Sequence, residues 1–532
     1  MTGESQSFRV VNSGLVPILF IVGAVTLIYV FYTNRYRRGL NHVPGPWAAG
    51  LSNLYRLGRV VVGRAHTHDI HLHRKYGTVV RIGPNAVSVS NPEAIQKIYG
   101  ISANLPKSHF YPVNFPYSNG KLVQGIFATT DENVHRSMKK PIANLYSMTN
   151  VLAYEPLVDE TIRLMVAQLN ARFVIPRKPC VFSDWLQFYA FDVISYVTFS
   201  SRVGFMEKGE DIEGVMEGIW NRFKYFSIVG QMPWLDKFWD KSSLVHSLLP
   251  AKSSPIAAFA MSRTGKRIEE LEKEKSAPDL ENNRVKSKKD FLSSFLDVRA
   301  KKTDIPEWYL QSWTISNMLA GSDTTAIYLR AIFYYLLRNP DSLRRVVEEI
   351  DTAEAEGRLS PIITYKESTS LAYLDACIKE AGRIHPAVGL PLERVVPSTG
   401  LEIDGYYLPG GTIVGVNAWT AGHDRQFYGA DAADWNPERW LGDSEQRSKM
   451  ERGNLQFGTG HRSCLGKHIA LVEMYKLVPQ LLREFEIRLV HPDREWTLEN
   501  FWVVRQTDMD VYFERRATLS KRAVQLDEKP SL

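Results

Sequence analysis

Cysteine and net charge are both scarce in this chain. Its 532 residues include three cysteines, Cys180, Cys377 and Cys464, and carry a formal net charge of +7. Three cysteines are too few, and too odd in number, for a disulfide framework, which favours a reducing compartment. A charge this small does not favour nucleic-acid binding; it fits a basic docking face for an acidic protein, or proximity to anionic lipid. Internal repeats and low-complexity domains are also missing from the sequence, which excludes a repeat architecture.

Charged residues are absent from residues 14–33. A helix of this length spans about 30 Å, the thickness of the hydrocarbon layer of a bilayer. Three arginines follow within residues 34–38, whereas only Glu4 and Arg9 precede the stretch, so the positive-inside rule places the long C-terminal part in the cytosol. A cleaved signal peptide is the alternative, but its basic cluster would be on the wrong side. The sequence predicts an N-terminal segment (1–13), a transmembrane anchor (14–33), a basic, proline-rich linker (34–48) and one large domain (49–532).

A lone cysteine lies in a glycine-rich loop near the C-terminus. Residues 457–467 read FGTGHRSCLGK and a mostly apolar run follows, which predicts a loop that leads into a helix, with Cys464 at the junction. Oriented N–H groups at a helix N-terminus favour a thiolate, and a thiolate on haem iron promotes O–O cleavage. Arg462 is placed to meet an anion such as a haem propionate, and Gly458 lets the backbone pass close to a flat group. A surface turn with a buried, inert cysteine is the alternative.

The loop matches F-x-x-G-x-R-x-C-x-G at every fixed position and resembles the haem-binding loop of the cytochrome P450 family. The resemblance implies a mainly α fold with a smaller β region, the cytochrome P450 fold, preceded here by one N-terminal transmembrane helix. It implies haem b as cofactor, with Cys464 as the axial iron ligand and Phe457, Gly458 and Arg462 beside it. Residues around His135, residues 144–148 and the cysteine loop are most similar to fungal secondary-metabolite enzymes of the pisatin demethylase type.

The smaller β region is predicted from short β-branched runs. Residues 78–82 and 86–90 are separated by Gly-Pro-Asn and predict a hairpin. Strand-like runs also occur at 401–403 and 412–416. By resemblance, residues 387–390 line the substrate pocket, and residues 501–504 form a second lining strand tip.

A second motif interrupts a long predicted helix. The helical pattern runs from residues 304–306 to Arg338, roughly 33 residues or about 50 Å. Residues 320–325, AGSDTT, are indifferent helix formers, and together they weaken the helix locally. A packing notch for a crossing helix is one explanation.

The other explanation is chemical, because the stretch resembles the P450 motif A/G-G-x-D/E-T-T. In this interpretation Ala320 and Gly321 leave room for a diatomic ligand, and Thr324 bonds to that ligand or to a water. Asp323 relays protons from bulk water, which reductive O₂ activation consumes. Asp323 and Thr324 are therefore the predicted catalytic residues.

Further basic residues belong to the haem site by resemblance. His135 and Lys139 are four residues apart and share one helical face; a solvated basic helix is the alternative, and Arg136 or Lys140 could replace Lys139 at the propionate. Arg394 is implied as a second propionate contact, with a surface strand residue as the alternative.

Glu380 and Arg383 lie three residues apart on a predicted helix, residues 373–384, and Arg439 follows in a P-E-R-W loop. Most such pairs are surface salt bridges. The family resemblance implies a buried three-member charge network under the haem, with a structural role.

The resemblance implies a haem-thiolate monooxygenase that inserts one oxygen atom from O₂ into an apolar small molecule, by hydroxylation, epoxidation or oxidative dealkylation, in secondary-metabolite biosynthesis. Electrons come indirectly from NADPH through NADPH-cytochrome P450 reductase, with cytochrome b5 as a further candidate donor. Lys467, His468 and Lys476 are candidates for the basic docking face.

The implied location is the endoplasmic reticulum membrane, with a single pass, a lumenal N-terminus and a cytosolic catalytic domain. A haem-thiolate isomerase or dehydratase, which needs neither O₂ nor a reductase, is the alternative function, and a non-catalytic, membrane-tethered haem binder is a third. The Asp323–Thr324 pair favours the monooxygenase.

Overall fold

Helices make up most of the computed structural model, which describes residues 4–115, 117–118, 121–122, 124–242, 245, 248, 255–276, 290–302 and 304–516. The α-helices of these residues, numbered in chain order, are α1 (Glu4–Tyr36), α2 (Leu54–Val61), α3 (Ala65–Tyr76), α4 (Ala94–Tyr99), α5 (Glu132–Lys139), α6 (Met148–Leu152), α7 (Glu155–Leu169), α8 (Phe182–Phe199), α9 (Phe205–Lys208), α10 (Val215–Val229), α11 (Pro255–Ser276), α12 (Phe291–Lys301), α13 (Trp308–Gly321), α14 (Asp323–Arg338), α15 (Pro340–Ala355), α16 (Tyr365–Ser368), α17 (Ala372–Ile384), α18 (Ala418–Gly422), α19 (Arg425–Tyr428), α20 (Ser444–Gly453) and α21 (Lys467–Glu484).

The strands are short and form small, separate sheets. They are β1 (Val79–Gly83), β2 (Ala86–Val89), β3 (Tyr117–Ser118), β4 (Lys121–Leu122), β5 (Cys180–Val181), β6 (Arg394–Val395), β7 (Leu401–Ile403), β8 (Tyr406–Leu408), β9 (Ile413–Val416), β10 (Phe485–Leu489), β11 (Thr497–Phe501), β12 (Val503–Thr507) and β13 (Asp510–Arg515). The largest described sheet has the order β1-β2-β9-β6. Its β1–β2 pair is the predicted hairpin, in antiparallel register, and β2 runs parallel to β9. The mainly α fold with a smaller β region is confirmed.

Helix α1 extends three residues beyond the predicted anchor, to Tyr36. Its residues 16–36 have a mean hydropathy of 2.2 and are not buried by the rest of the protein, and the helix is long enough to cross a membrane. The buried Arg81 side chain fixes the end of this helix to the domain, because it donates to the carbonyl oxygens of Asn34 at 2.7 Å and Arg35 at 3.0 Å. Residues 1–3 and 517–532 of the predicted segments lie outside the described residues.

Helix α14 lies in the main hydrophobic core, between α8, α17 and α21. Most residues of α14 are buried, and α8 is buried along almost its whole length. Helices α13 and α14 together form the long predicted helix, which begins at Trp308 and is interrupted at Ser322. Ser322 and Asp323 at this interruption are buried, so their polar side chains need specific partners.

Candidate active site

The cysteine loop is a tight turn that ends at the N-terminus of α21. The Cys464 N–H donates to the Phe457 carbonyl at 2.8 Å, which closes the loop. Gly460 has φ +66°, and a Cβ there would lie 2.0 Å from the Tyr99 carbonyl oxygen, so only glycine fits. Cys464 is exposed, whereas Cys180 and Cys377 are buried. The loop thus presents the Cys464 side chain rather than burying it in the core, so the alternative of a cysteine buried like Cys180 and Cys377 is wrong.

Two opposing effects act on the Cys464 thiol. Most of its surroundings are protein, and this burial raises the pKa of the thiol. The N–H groups of Gly466 and Lys467, at the start of α21, and the charges of Lys139 and Lys467 lower it. The predicted helix N-terminus is present, but without a bound group the effect of burial on the pKa of the thiol is larger than the effect of the helix N-terminus. A bound metal ion would displace the remaining proton, because a coordinating thiol is deprotonated.

The residues at the interruption between α13 and α14 face two different directions. The Thr324 hydroxyl donates to the Ala320 carbonyl at 2.7 Å, and both residues retain accessible surface although they lie mid-molecule. Gly321 faces the other way, since a Cβ there would lie 2.7 Å from Ile194 Cγ1 of α8. The prediction that Gly321 leaves room for a ligand is therefore wrong, and the packing notch explains that residue. Ala320 keeps the predicted opening.

The cysteine loop and α14 meet through an aromatic contact. The rings of Tyr328 and Phe457 have centroids 6.3 Å apart. Thr324 and Tyr328 are one helical turn apart and share a face of α14. The face that carries Thr324 is thus directed toward the loop that carries Cys464.

Asp323 points away from this opening into the core. One of its carboxylate oxygens accepts from the Gln187 amide of α8 at 2.6 Å, and the other has no hydrogen-bond partner among the described residues. Burial raises the pKa of Asp323 to about 6, although the nearby charges of Arg330 and Arg505 lower it. A carboxyl with a pKa near neutrality can both take and release a proton at physiological pH.

Five basic side chains from four separate segments gather at one edge of the site. Lys139 donates to the His461 carbonyl of the cysteine loop at 2.8 Å. Arg394 is buried at the edge of the four-stranded sheet, so the surface-strand alternative is wrong. The group consists of Lys107, His135, Lys139, Arg394 and Arg462, which influence one another electrostatically. Such an edge suits the two carboxylates of a haem.

Glu132 is the acid that pairs with this basic group. Its carboxylate accepts from Arg462 Nη2 at 2.7 Å and from Arg462 Nε at 3.1 Å. His135 is buried, so the solvated-helix alternative is wrong for it. Burial and the charges of Arg462 and Lys139 lower its pKa to about 3, and a neutral His135 offers an N–H donor rather than a charge.

The three members of the predicted charge network contact one another through Glu380. The Glu380 carboxylate accepts from Arg383 Nη2 at 2.6 Å and from Arg439 Nε at 3.0 Å. The side chains of Glu380 and Arg383 have no accessible surface. Asp431, which the sequence did not single out, joins the network through Arg439 Nη2 at 3.0 Å.

The two segments predicted to line the pocket pair with each other. The Gly389 N–H donates to the Trp502 carbonyl at 2.8 Å, and the Val504 N–H donates to the Ala387 carbonyl at 2.9 Å. Trp502 has φ +71°, in the left-handed region. A tryptophan there is strained, and such strain is found most often where function fixes a side chain.

An exposed docking face is predicted at Lys467, His468 and Lys476. Lys467 is exposed and His468 is partly exposed. Lys476 is fully buried and paired with Glu155 at 2.7 Å and Asp159 at 2.8 Å. The prediction for Lys476 is wrong, because the tenth residue of α21 faces the core and not the surface.

Comparison with known proteins decides the family. A family model described as Cytochrome P450 matches residues 44–511. The chain belongs to the cytochrome P450 family. A cytochrome P450 monooxygenase of Aspergillus terreus is 48% identical over 481 residues, which cover 90% of this chain and 96% of that protein. Cytochrome P450 monooxygenase cicH of Emericella nidulans is 45% identical over 503 residues, with coverage of 94% and 99%. Cytochrome P450 monooxygenase pkfB of the same organism is 40% identical over 503 residues, with coverage of 94% and 96%.

This P450 is therefore a haem-thiolate monooxygenase that uses O₂, a small-molecule substrate and electrons that a redox partner passes on from NADPH. The residues present fit a haem: Cys464 and Thr324 are accessible on facing elements, and the basic group lies at one edge. Bound haem supplies the reductive activation of O₂. The finer resemblance to the pisatin demethylase type stays a prediction.

Besides Asp431, the residues of the site that were not predicted include Lys107, Glu132 and Gln187. Lys107 lies in an aromatic, proline-rich segment without a clear period, where sequence gave no signal. Glu132 precedes His135 by three residues, and that helical spacing was a usable signal. Gln187 is a polar residue between apolar neighbours in a mostly apolar helix, a pattern that marks a buried polar contact but does not identify its partner.

Proposed function

We propose that Cys464 is the axial ligand of haem b and that Arg462, His135, Lys139 and Arg394, with Lys107, hold the propionates. Phe457 and Gly458 pack beneath the macrocycle. The observation that carries this proposal is the placement of the accessible Cys464 thiol on a loop that contacts, through Phe457 and Tyr328, the α14 face bearing Thr324. Asp323 and Thr324 deliver protons to the oxygen side, and Glu380, Arg383 and Arg439 support the loop from below.

The substrate we propose is an apolar small molecule of fungal secondary metabolism. The aromatic rings of Phe110, Tyr111, Phe127, Phe226 and Trp502 form one cluster, in which neighbouring centroids lie 4.4 to 6.4 Å apart. Aromatic walls of this kind favour apolar ligands, whose burial removes carbon surface from water. The fungal origin of the most similar relatives supports the biological setting. Hydroxylation, epoxidation and oxidative dealkylation are the reactions this site could support.

The electron donor we propose is NADPH-cytochrome P450 reductase, with cytochrome b5 as a second donor. Lys467 supports this role, because it is exposed and directly follows the cysteine loop. The apolar helix α1 supports single-pass anchoring in the endoplasmic reticulum membrane, with residues 1–13 lumenal, residues 34–48 as linker and the catalytic domain from residue 49 in the cytosol. The arginines that follow the span favour this orientation.

The test is the spectrum of the reduced protein under CO. Wild type should show the strongly red-shifted Soret band of thiolate-ligated iron, and Cys464→Ala should lose it. Cys377→Ala is the matched control, since this buried thiol lies in α17, and it should keep the band. If Cys464→Ala kept the band, the ligand assignment would be wrong; turnover without NADPH and O₂ would indicate the isomerase or dehydratase alternative instead.

A further inference from the structure

Asp323 is joined to a buried arginine through an intervening amide. Gln187 Nε2 donates to Asp323 Oδ1 at 2.6 Å, and Gln187 Oε1 accepts from Arg330 Nη2 at 2.5 Å. All three side chains are buried. The carboxylate and the guanidinium therefore share a partner instead of forming a direct salt bridge, although they lie two helical turns apart on α14.

The amide can be oriented in only one way. Its NH₂ group faces an acceptor and its oxygen faces a donor, and a flip would place like groups against each other. Arg330 is fixed in addition by its Nε donation to the Ser183 carbonyl at 2.8 Å. At each end of this hydrogen-bonded series, one polar atom has no hydrogen-bond partner among the described residues: Asp323 Oδ2 and Arg330 Nη1. Buried atoms of this kind are the usual partners of internal water.

A charged cavity of about 330 Å³ lies beside the same helix α8. Its lining includes Asp184, Asp211, Glu217 and Arg505. Asp184 precedes Gln187 by three residues and so shares its helical face. The charges of Asp211 and Arg505 act on Asp323, and that of Asp184 acts on Arg330. Glu217 is exposed, so the cavity reaches solvent.

We propose that Gln187 is a positioning residue for proton delivery: its amide holds the Asp323 carboxyl in the core on the α8 side and insulates it from Arg330, and the charged cavity supplies the protons. Asp323 accepts a proton from water on the cavity side and releases it toward Thr324, which returns the carboxylate. This inference rests on the proposed proton-delivery role of Asp323.

The separation of Asp323 from Arg330 matters because a direct ion pair would keep the Asp323 carboxyl ionised. An arginine in contact with an aspartate typically lowers the carboxyl pKa by about 1–3 units. With the amide between them the raising effect of burial prevails, and the pKa of Asp323 is about 6. The charges that face it are Arg330 on its own helix, Arg505 on β12 and Asp211 before α10. A carboxyl moved far below this range would stay ionised and carry no proton.

The experiment is an infrared titration of the purified ferric protein. The band of the protonated Asp323 carboxyl is identified as the one that is missing in Asp323→Asn. Wild type should titrate near pH 6. Gln187→Leu removes a hydrogen bond to the ionised form while the leucine side chain still separates Asp323 from Arg330, so it should raise the midpoint by about one pH unit; Gln187→Glu adds a like charge and should raise it at least as much. The pH profile of product formed per NADPH should move by the same amount.

Gln506→Leu is the matched control, because Gln506 is also a buried amide beside α14 but bonds to Ile327 and His385. It should lose about as much stability as Gln187→Leu, but the midpoint of the Asp323 titration should stay at its wild-type value. If Gln187→Leu, or Gln187→Glu where the leucine variant does not fold, leaves the midpoint at its wild-type value, the role of Gln187 is refuted. If Asp323→Asn keeps wild-type coupling of NADPH to product, the proposed proton delivery itself fails.

Discussion

Replacing Glu380 by glutamine should destabilise the protein severely. The carboxylate accepts five hydrogen bonds: Oε1 from Arg383, Arg439 and the Asn436 N–H, and Oε2 from Arg383 and Trp440. A glutamine turns one of these oxygens into a donor, so at least two buried donors lose their acceptor. It also removes the charge that Arg383 faces. Breaking a buried ion pair from one side costs about 3–5 kcal/mol, a large fraction of a typical stability of about 5–15 kcal/mol.

The assay is urea unfolding of the purified protein together with its haem content. Glu380→Gln should unfold at a clearly lower urea concentration and retain less haem. Glu348→Gln is the matched control, because Glu348 pairs with Arg344 at 3.0 Å on the exposed face of α15, where ion pairs contribute little. It should leave the midpoint unchanged. If both variants shifted the midpoint equally, the buried network would not have the structural role assigned to it.

Three further predictions concern protons and electrons. Thr324→Ala should lower product per NADPH several-fold with more hydrogen peroxide, whereas the buried neighbour Thr325→Ala should not; equal coupling in both would contradict the proton-delivery role. Burial lowers the pKa of His66 to about 4, and the unfolded chain binds that proton near pH 6.5. The free energy of unfolding should therefore fall, by up to about 3 kcal/mol from this residue, as the pH drops from 6.5 to 4. In His66→Phe, the free energy of unfolding measured with urea should depend less steeply on pH over that range. The same slope in wild type and variant would refute the contribution of His66. Lys467→Glu should raise the KM for the reductase, most at low salt; a KM equal to that of wild type would exclude Lys467 from the docking face.

Residues that lie close together in the sequence were predicted best. The cysteine loop, the AGSDTT interruption and the β1–β2 hairpin each owe their conformation to their own sequence, because glycine positions and β-branched runs act locally. Gly460 is an example, since its positive φ of +66° is a local backbone requirement, to which the close approach of Tyr99 adds a second reason for glycine. The Glu380–Arg383 spacing likewise follows from one helix, and only the family resemblance added Arg439.

Predictions failed where the burial of a residue depends on which element packs against it. Periodicity places Lys476 and Lys467 on the same helix but does not identify which side of α21 meets α7, and that contact buries Lys476. Gly321 and Ala320 are adjacent small residues, yet a Cβ at Gly321 would meet Ile194 of α8, whereas Ala320 is exposed. Tertiary packing, which a single sequence does not encode in a readable way, separates such neighbours.

The basic group has a physical consequence for cofactor retention. Burial and mutual repulsion lower the pKa values of Lys107, Lys139 and Arg462, so holding these cations together costs free energy in the chain alone. Glu132 offsets part of that cost through Arg462. Two propionate carboxylates would offset the rest, since opposite charges restore the ionised form of a buried cation. The charge arrangement at this edge therefore favours the haem-bound state over the free chain, and it does so independently of the bond between Cys464 and iron.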